Sequence, residues 1–494
     1  MLSIIKFKKI TKQFYFLAPN IKQVDFKDFK KLIPNLNFEE LKSQTVYLNI
    51  NDFSDISKNT ALKTKKLIEI LSKLKHTKTL IYAGRFIEIE RLSTIINSNH
   101  IYPNSTITTM FSKWIIKHYG NSKLVTLVQN RVGIHSGNQH RPLSQIQLAL
   151  FEQKDNGLQT IISTSSIIEG VNTSTENVIM WLNKNGNPLL DYFSYKNLLG
   201  RCGRMFKYFI GNIYLLDKPI KQKDINLELP FSDNVKTFCE VELNGLDITS
   251  EKSESDSAKL KHLIGKDNYK KIINENLLQS HDMELAIKII KSINENIDGW
   301  YKGLRGLLGK YNMWNSALFK ILPLFEKSTL KRDWDMSHTH IVEFVKLTSF
   351  NWSTSLPEIL QDCERKNMNM GDKPINSDIY FKIEKNITFK ITSLLNDVNV
   401  LFNMLSPKKV DITPFVSKLS HAFLPKNVYL LEEYGLPRMI SRKIQDSKLI
   451  DLEEQTPLKE CINKFKTIGY DNICTIQNLD EFDKFVVKYF YDGI

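Results

Sequence analysis

GIHSGNQHRPLSQIQLALFEQ (133–153), TIISTSSIIEGVN (160–172) and NLLGRCGRMFKYFIGNIYLL (197–216) all lie between Val132 and Leu216. Their pattern decides the reading of the whole chain. An apolar strand ends at His135 and a helix follows. A second apolar strand runs into a loop holding Thr164, Ser165 and Glu169. An Arg-rich turn then leads into a third strand. Arg201 and Arg204, three residues apart in a turn with Gly200 and Gly203, can face one anion. Guanidinium stays charged and grips phosphate bidentately, and glycine lets a backbone approach closely.

Outward from this stretch the same alternation continues. TVYLNI (45–50) and KTLIYAG (78–84) read as strands, while NTALKTKKLIEILSKL (59–74) carries a helical apolar stripe. EIERLSTII (88–96) and ITTMFSKWIIKHYG (107–120) read as helices, the second with Gly120 as C-cap. NVIMWL (177–182) and GNIYLLD (211–217) complete the strands. Strands separated by helices predict a parallel sheet with crossover helices, whose ligands sit beyond the carboxyl ends of the strands. His135, Glu169 and the two arginines are expected at that edge.

The flanks differ. Residues 1–45 combine FYFLAPNI (14–21) with a basic stretch and read as an arm or linker. Residues 219–258 read as a connection, and DITSEKSESDSAKLKH (247–262) as an exposed polar loop. From 259 to 494 helical periodicity dominates, as in HDMELAIKIIKSINENI (281–297) and YFKIEKNITFKITSLLNDVNVLFNML (380–405). The expected fold class is α/β, a parallel-sheet domain over 46–218, followed by a mainly α-helical domain.

Composition sets bounds. A chain of 494 residues allows several domains at about 150 residues each. The formal net charge of +14 favours a polyanionic partner, DNA or RNA, although a lysine-rich coding bias produces the same excess. No apolar run is long enough to span a membrane, and the amino terminus lacks a signal-peptide pattern. Five scattered cysteines without metal-ligand spacing read as reduced, buried thiols in a cytoplasm. No metal site is expected.

NLLGRCGR (197–204) resembles motif VI of superfamily 2 helicases, and ISTSSIIEGVN (162–172) resembles their motif V. VGIHSGNQHRPLSQIQLALFE (132–152) resembles the stretch between motifs IV and V, and TLIYAG (79–84) stands where motif IV does. Order and spacing agree across roughly 46–218, and the Glu-Gly-x-Asn form is similar to the Ski-like and Hel-like DExH branch. The resemblance implies a RecA-like second motor domain. It makes Arg201 and Arg204 arginine fingers toward the γ-phosphate of ATP. It places Gly170, Asn172, Asn197 and Gly200 at the nucleotide cleft, and Thr164 and Ser165 on the nucleic-acid backbone. Glu169 reads either as part of that motif or as an acid serving a helix dipole. His135 reads as structural.

A motor also needs a phosphate loop, G-x-x-x-x-G-K-[ST]. No such string occurs: GLLGKYN (306–312) and LIGKDNY (263–269) lack the spaced first glycine and the Ser/Thr. DEFD (480–483) resembles an acidic box in letters only and reads as a solvated helix start. The resemblance therefore covers the second half of a helicase, with 1–45 as a remnant of the first motor domain and its linker. ATP and magnesium would bind only with a partner chain that supplies the first RecA-like domain. LLEEYGLPRMISRKI (430–444) offers Arg438 and Arg442 as phosphate contacts, or as a solvated basic face. Tryptophans 300, 314, 334 and 352 read as core packing rather than base-stacking platforms. The alternative function is a catalytically inactive nucleic-acid-binding or scaffold protein, or a helicase remnant.

Overall fold

The structure, a computed structural model, describes residues 21–25, 37, 46–170, 175–203, 208–221, 225–228 and 251–494. Six strands form one parallel sheet: β2 (Tyr47–Asp52), β3 (Thr79–Tyr82), β4 (Val132–His135), β5 (Thr160–Ser163), β6 (Asn177–Met180) and β7 (Ile210–Leu215). Their spatial order is β2-β7-β6-β3-β5-β4. The central strands TLIY, TIIS and NVIM are buried at every position, as expected of strands covered on both faces. Edge strand β2 is mostly exposed.

Alternation sorts the core. Ile81, Ile162 and Ile179 point to one face, under helices Thr60–Lys73 and Phe86–Asn99 through Leu67, Leu71, Ile89 and Leu92. Leu80, Ile161 and Val178 point to the other face. There they join Phe111, Trp114 and Ile146 and a core that continues into the carboxyl-terminal helices. The α/β part and the helical part thus share one apolar interior.

The helical part includes Glu251–Ile264, Met283–Glu295, Ile297–Leu307, His338–Thr348 and Ser377–Asn386. The last runs through a π-helical turn, Ile387–Ile391, into Thr392–Leu405. Two expectations about the flanks change. From Glu251 onward the stretch expected as an exposed loop is a helix, Glu251–Ile264, because Ser257, Leu260 and Ile264 fall on one buried face and the Ser257 hydroxyl meets Tyr269 at 2.8 Å; residues 247–250 lie outside the described residues. The connection also carries a strand, β8 (Ile225–Glu228), which pairs in parallel with β1 (Ile21–Asp25) from the amino-terminal arm. FYFLAPNI lies outside the described residues except for Ile21. No described helix is long and apolar enough to cross a membrane.

Candidate functional site

The expected site residues divide between two opposite edges of the sheet. Thr164 and Ser165 follow β5 at the carboxyl edge. Ser163 donates its hydroxyl to the Thr164 carbonyl (2.9 Å) and to the His135 carbonyl (3.0 Å). Thr164 is buried and Ser165 half-buried. His135 is buried beside them, Nδ1 3.0 Å from the Ser166 hydroxyl. Burial, with Arg141 nearby, pushes its pKa down to about 4. The ring is thus held inside the fold at the end of β4.

The arginine turn is elsewhere. Helix Tyr192–Leu199 is capped at its start by Asp191, which accepts from the Ser194 amide at 2.8 Å, and Gly200 stands at its C-cap. The chain then bridges Cys202 to Thr175, and the Gly203 amide donates to the Thr175 carbonyl (2.8 Å). Thr175 lies just before β6, so Arg201 sits at the amino edge of the sheet. The carboxyl edge expected for it is wrong: the helix reverses the chain after β6, and its far end returns to where the strands begin. A four-residue strand separates the two edges by roughly 13 Å.

Close packing holds this turn. Gly203 has φ +76°, and a Cβ there would lie 2.3 Å from Val46 Cγ1. The Cys202 thiol faces the carbonyls of Glu176 (3.3 Å) and Asn212 (3.2 Å), and burial pushes its pKa up to about 12. Arg201 is half-buried, and burial lowers its pKa from the ordinary value. Its Nη2 donates to the Ile168 carbonyl. Ile168 belongs to helix Ser166–Gly170, which starts directly after Thr164 and Ser165. One short helix therefore connects the carboxyl-edge residues with the arginine at the amino edge. Asn197 is half-buried and Gly200 exposed on the same turn. Gly170 ends the short helix; Asn172 and Arg204 lie outside the described residues.

Arg438 is not a phosphate contact. It is buried, and its guanidinium is taken by Glu384 (2.8 Å, two bonds) and Glu432 (2.8 and 2.9 Å). Those carboxylates hold its pKa well above the ordinary value despite the cost of burial. On the α/β side, His140 stacks on Phe381 with centroids 3.9 Å apart. Its Nε2 lies 3.0 Å from Glu432, and its Nδ1 2.8 Å from the Tyr119 hydroxyl. The cluster joins the two parts of the chain. Arg442 is half-buried, and Nη2 donates to the carbonyls of Asn351 (2.9 Å) and Thr354 (3.0 Å). These bonds tie down a loop, so the solvated basic face does not exist as drawn either.

Trp300, Trp314 and Trp334 are buried, and Trp352 is half-buried. Asp480 does start a helix, with a capping box to Asp483. Asp483 is fully buried rather than solvated, accepting from Trp114 Nε1 (2.8 Å) and Lys443 Nζ (2.5 Å). The junction residues His140, Glu384 and Glu432 escaped sequence reasoning because nothing local marks them as partners.

No protein-family model matches the chain. The chain is similar to Anti-bacteriophage protein B of Escherichia coli (strain K12), with 24% identity over 489 residues, covering 93% of this chain. The match covers 63% of that relative, so the chain spans less than two thirds of its length.

Proposed function

We propose that residues 46–218 are the second motor domain of a superfamily 2 helicase of the DExH type, and that the chain serves in defence against bacteriophage. Arg201 and Arg204 act as fingers on the γ-phosphate of ATP, at a cleft shared with Gly170, Asn172, Asn197 and Gly200. Thr164 and Ser165 meet the nucleic acid. A first motor domain, in a longer form of this polypeptide or in another chain, brings the phosphate loop and the carboxylates for magnesium. The defence role rests on the similarity to Anti-bacteriophage protein B.

The bond from Arg201 to the Ile168 carbonyl carries the proposal. It ties the group that would sense a phosphate to the helix that begins at the nucleic-acid loop. On this reading the bond is the link through which nucleotide and nucleic acid would be coupled during translocation. The test is ATP turnover by the complete motor, assembled with its first domain and stimulated by nucleic acid. Arg201→Ala abolishes the stimulated rate on this reading; an unchanged rate overturns it.

A further inference from the structure

Helix Ile297–Leu307 ends in a loop, Leu308–Met313, that holds apolar side chains out to solvent. Leu308 is 51% exposed, Tyr311 47% and Met313 55%. The loop is not loosely hung. A Cβ on Gly306 would lie 2.7 Å from the Met313 carbonyl oxygen, and one on Gly309 2.7 Å from Met313 Sδ. Buried Trp314 donates from Nε1 to the Gly309 carbonyl at 3.1 Å. Two glycines and an anchoring indole thus fold the loop tightly and fix its outward face. Phe350, from the turn after helix His338–Thr348, meets Tyr311 edge-on with centroids 5.6 Å apart, and is itself 36% exposed.

The surroundings are cationic. From Gly299 to Phe325 the chain carries Lys302, Arg305, Lys310 and Lys320 and no acidic residue. Lys302, Arg305 and Lys310 are exposed. Arg305 lies one turn before Leu308 on the same exposed row of the helix. Asp298, just upstream, is paired with Lys408 at 3.0 Å. An apolar protein partner needs no such excess of positive charge. Among the described residues neither Arg305 nor Lys310 has an acidic partner, and exposed aromatic rings beside such cations suit bases whose faces are free and whose backbone is anionic.

We propose that Tyr311 and Phe350 form a stacking platform for single-stranded nucleic acid, with Arg305 and Lys310 on its phosphates. A duplex keeps its base faces covered and gains nothing from the rings. The platform stands apart from the Arg201 cleft and does not depend on that assignment.

The experiment measures anisotropy of labelled oligo-dT and oligo-U, and of a duplex of equal length, over a salt series. Tyr311→Ala with Phe350→Ala weakens single-strand binding about tenfold and leaves duplex binding unchanged. Arg305→Gln with Lys310→Gln flattens the logarithmic salt dependence by about 1.4, at about 0.7 per lost phosphate contact. The two oligonucleotides tell DNA from RNA. A wild-type chain that binds no single strand overturns the proposal, as do variants that bind it within about twofold of wild type. Loss of self-association in the aromatic variant, with oligonucleotide binding intact, assigns the face to protein and also overturns it. Because ATP turnover by Arg201→Ala is a separate measurement, failure here leaves the motor assignment distinguishable.

Discussion

Two arginines follow glycine-containing turns in this chain, and the structure treats them in opposite ways. Arg201 comes directly after Gly200 at the amino edge of the sheet, half-buried, donating to a backbone carbonyl. Arg438 follows Gly435-Leu-Pro and is buried between two carboxylates, one of them 54 residues away. A carbonyl is a neutral acceptor, whereas each of two carboxylates brings Arg438 a full countercharge. The contrast teaches that a basic residue's role depends on which acids the fold brings to it. Arg438 serves to hold two parts of the chain together.

The comparison can be broken most directly at Arg201. Arg201→Ala should cost about a thousandfold or more in stimulated ATP turnover by the complete motor, with the urea midpoint close to that of wild type. If instead stability falls and turnover does not, Arg201 is a second Arg438. Arg438→Met should do the reverse. It strands two buried carboxylates and should cost about 3–5 kcal/mol in urea unfolding. Replacing Glu384 and Glu432 by leucine in the same variant should recover much of that loss, because no charge then remains unpaired.

Acid removes part of the same stabilisation. Burial alone would raise the Glu432 pKa, but Arg438 and His140 outweigh it and hold the carboxyl well below its ordinary range. A folded-state pKa below the unfolded one gives stability that is complete above about pH 4.3 and is lost as pH falls toward the folded value. Unfolding midpoints measured from pH 7 down to pH 3 should therefore drop, and Glu432→Gln should flatten the lower part of that curve. The smallest effect belongs to Arg141, which pairs with Glu433 at 3.0 Å while both side chains stay more than half exposed. Arg141→Ala should cost about 0.2–1 kcal/mol, less still at high salt. A larger loss would mean that the junction depends on its rim as well as on Arg438.

Much of the sheet was legible because its signals are local. TLIY, TIIS and NVIM are short apolar runs between helical stripes, and each is a buried strand. Where polar composition hid the periodicity the reading failed, as in Glu251–Ile264, whose buried face includes Ser257, Leu260 and Ile264. The pairing of Ile21–Asp25 with Ile225–Glu228 was equally out of reach, because strand partners so distant in sequence leave no local trace. Within the candidate site, the close approach at Gly203 was foreseeable from the glycine. The edge on which Arg201 lies was not. That depends on how helix Tyr192–Leu199 carries the chain back to Thr175.

The sequence by itself determined that strands alternate with helices over 46–218 and that helices follow. These properties come from periodicity and backbone freedom, which act over a few residues. Only the tertiary structure decided that Arg201 stands at the amino edge, that Arg438 and Asp483 are buried at the junction, and that Tyr311 and Phe350 meet at the surface. Burial and charge pairing depend on groups brought together from distant parts of the chain, and no short stretch of sequence contains both partners.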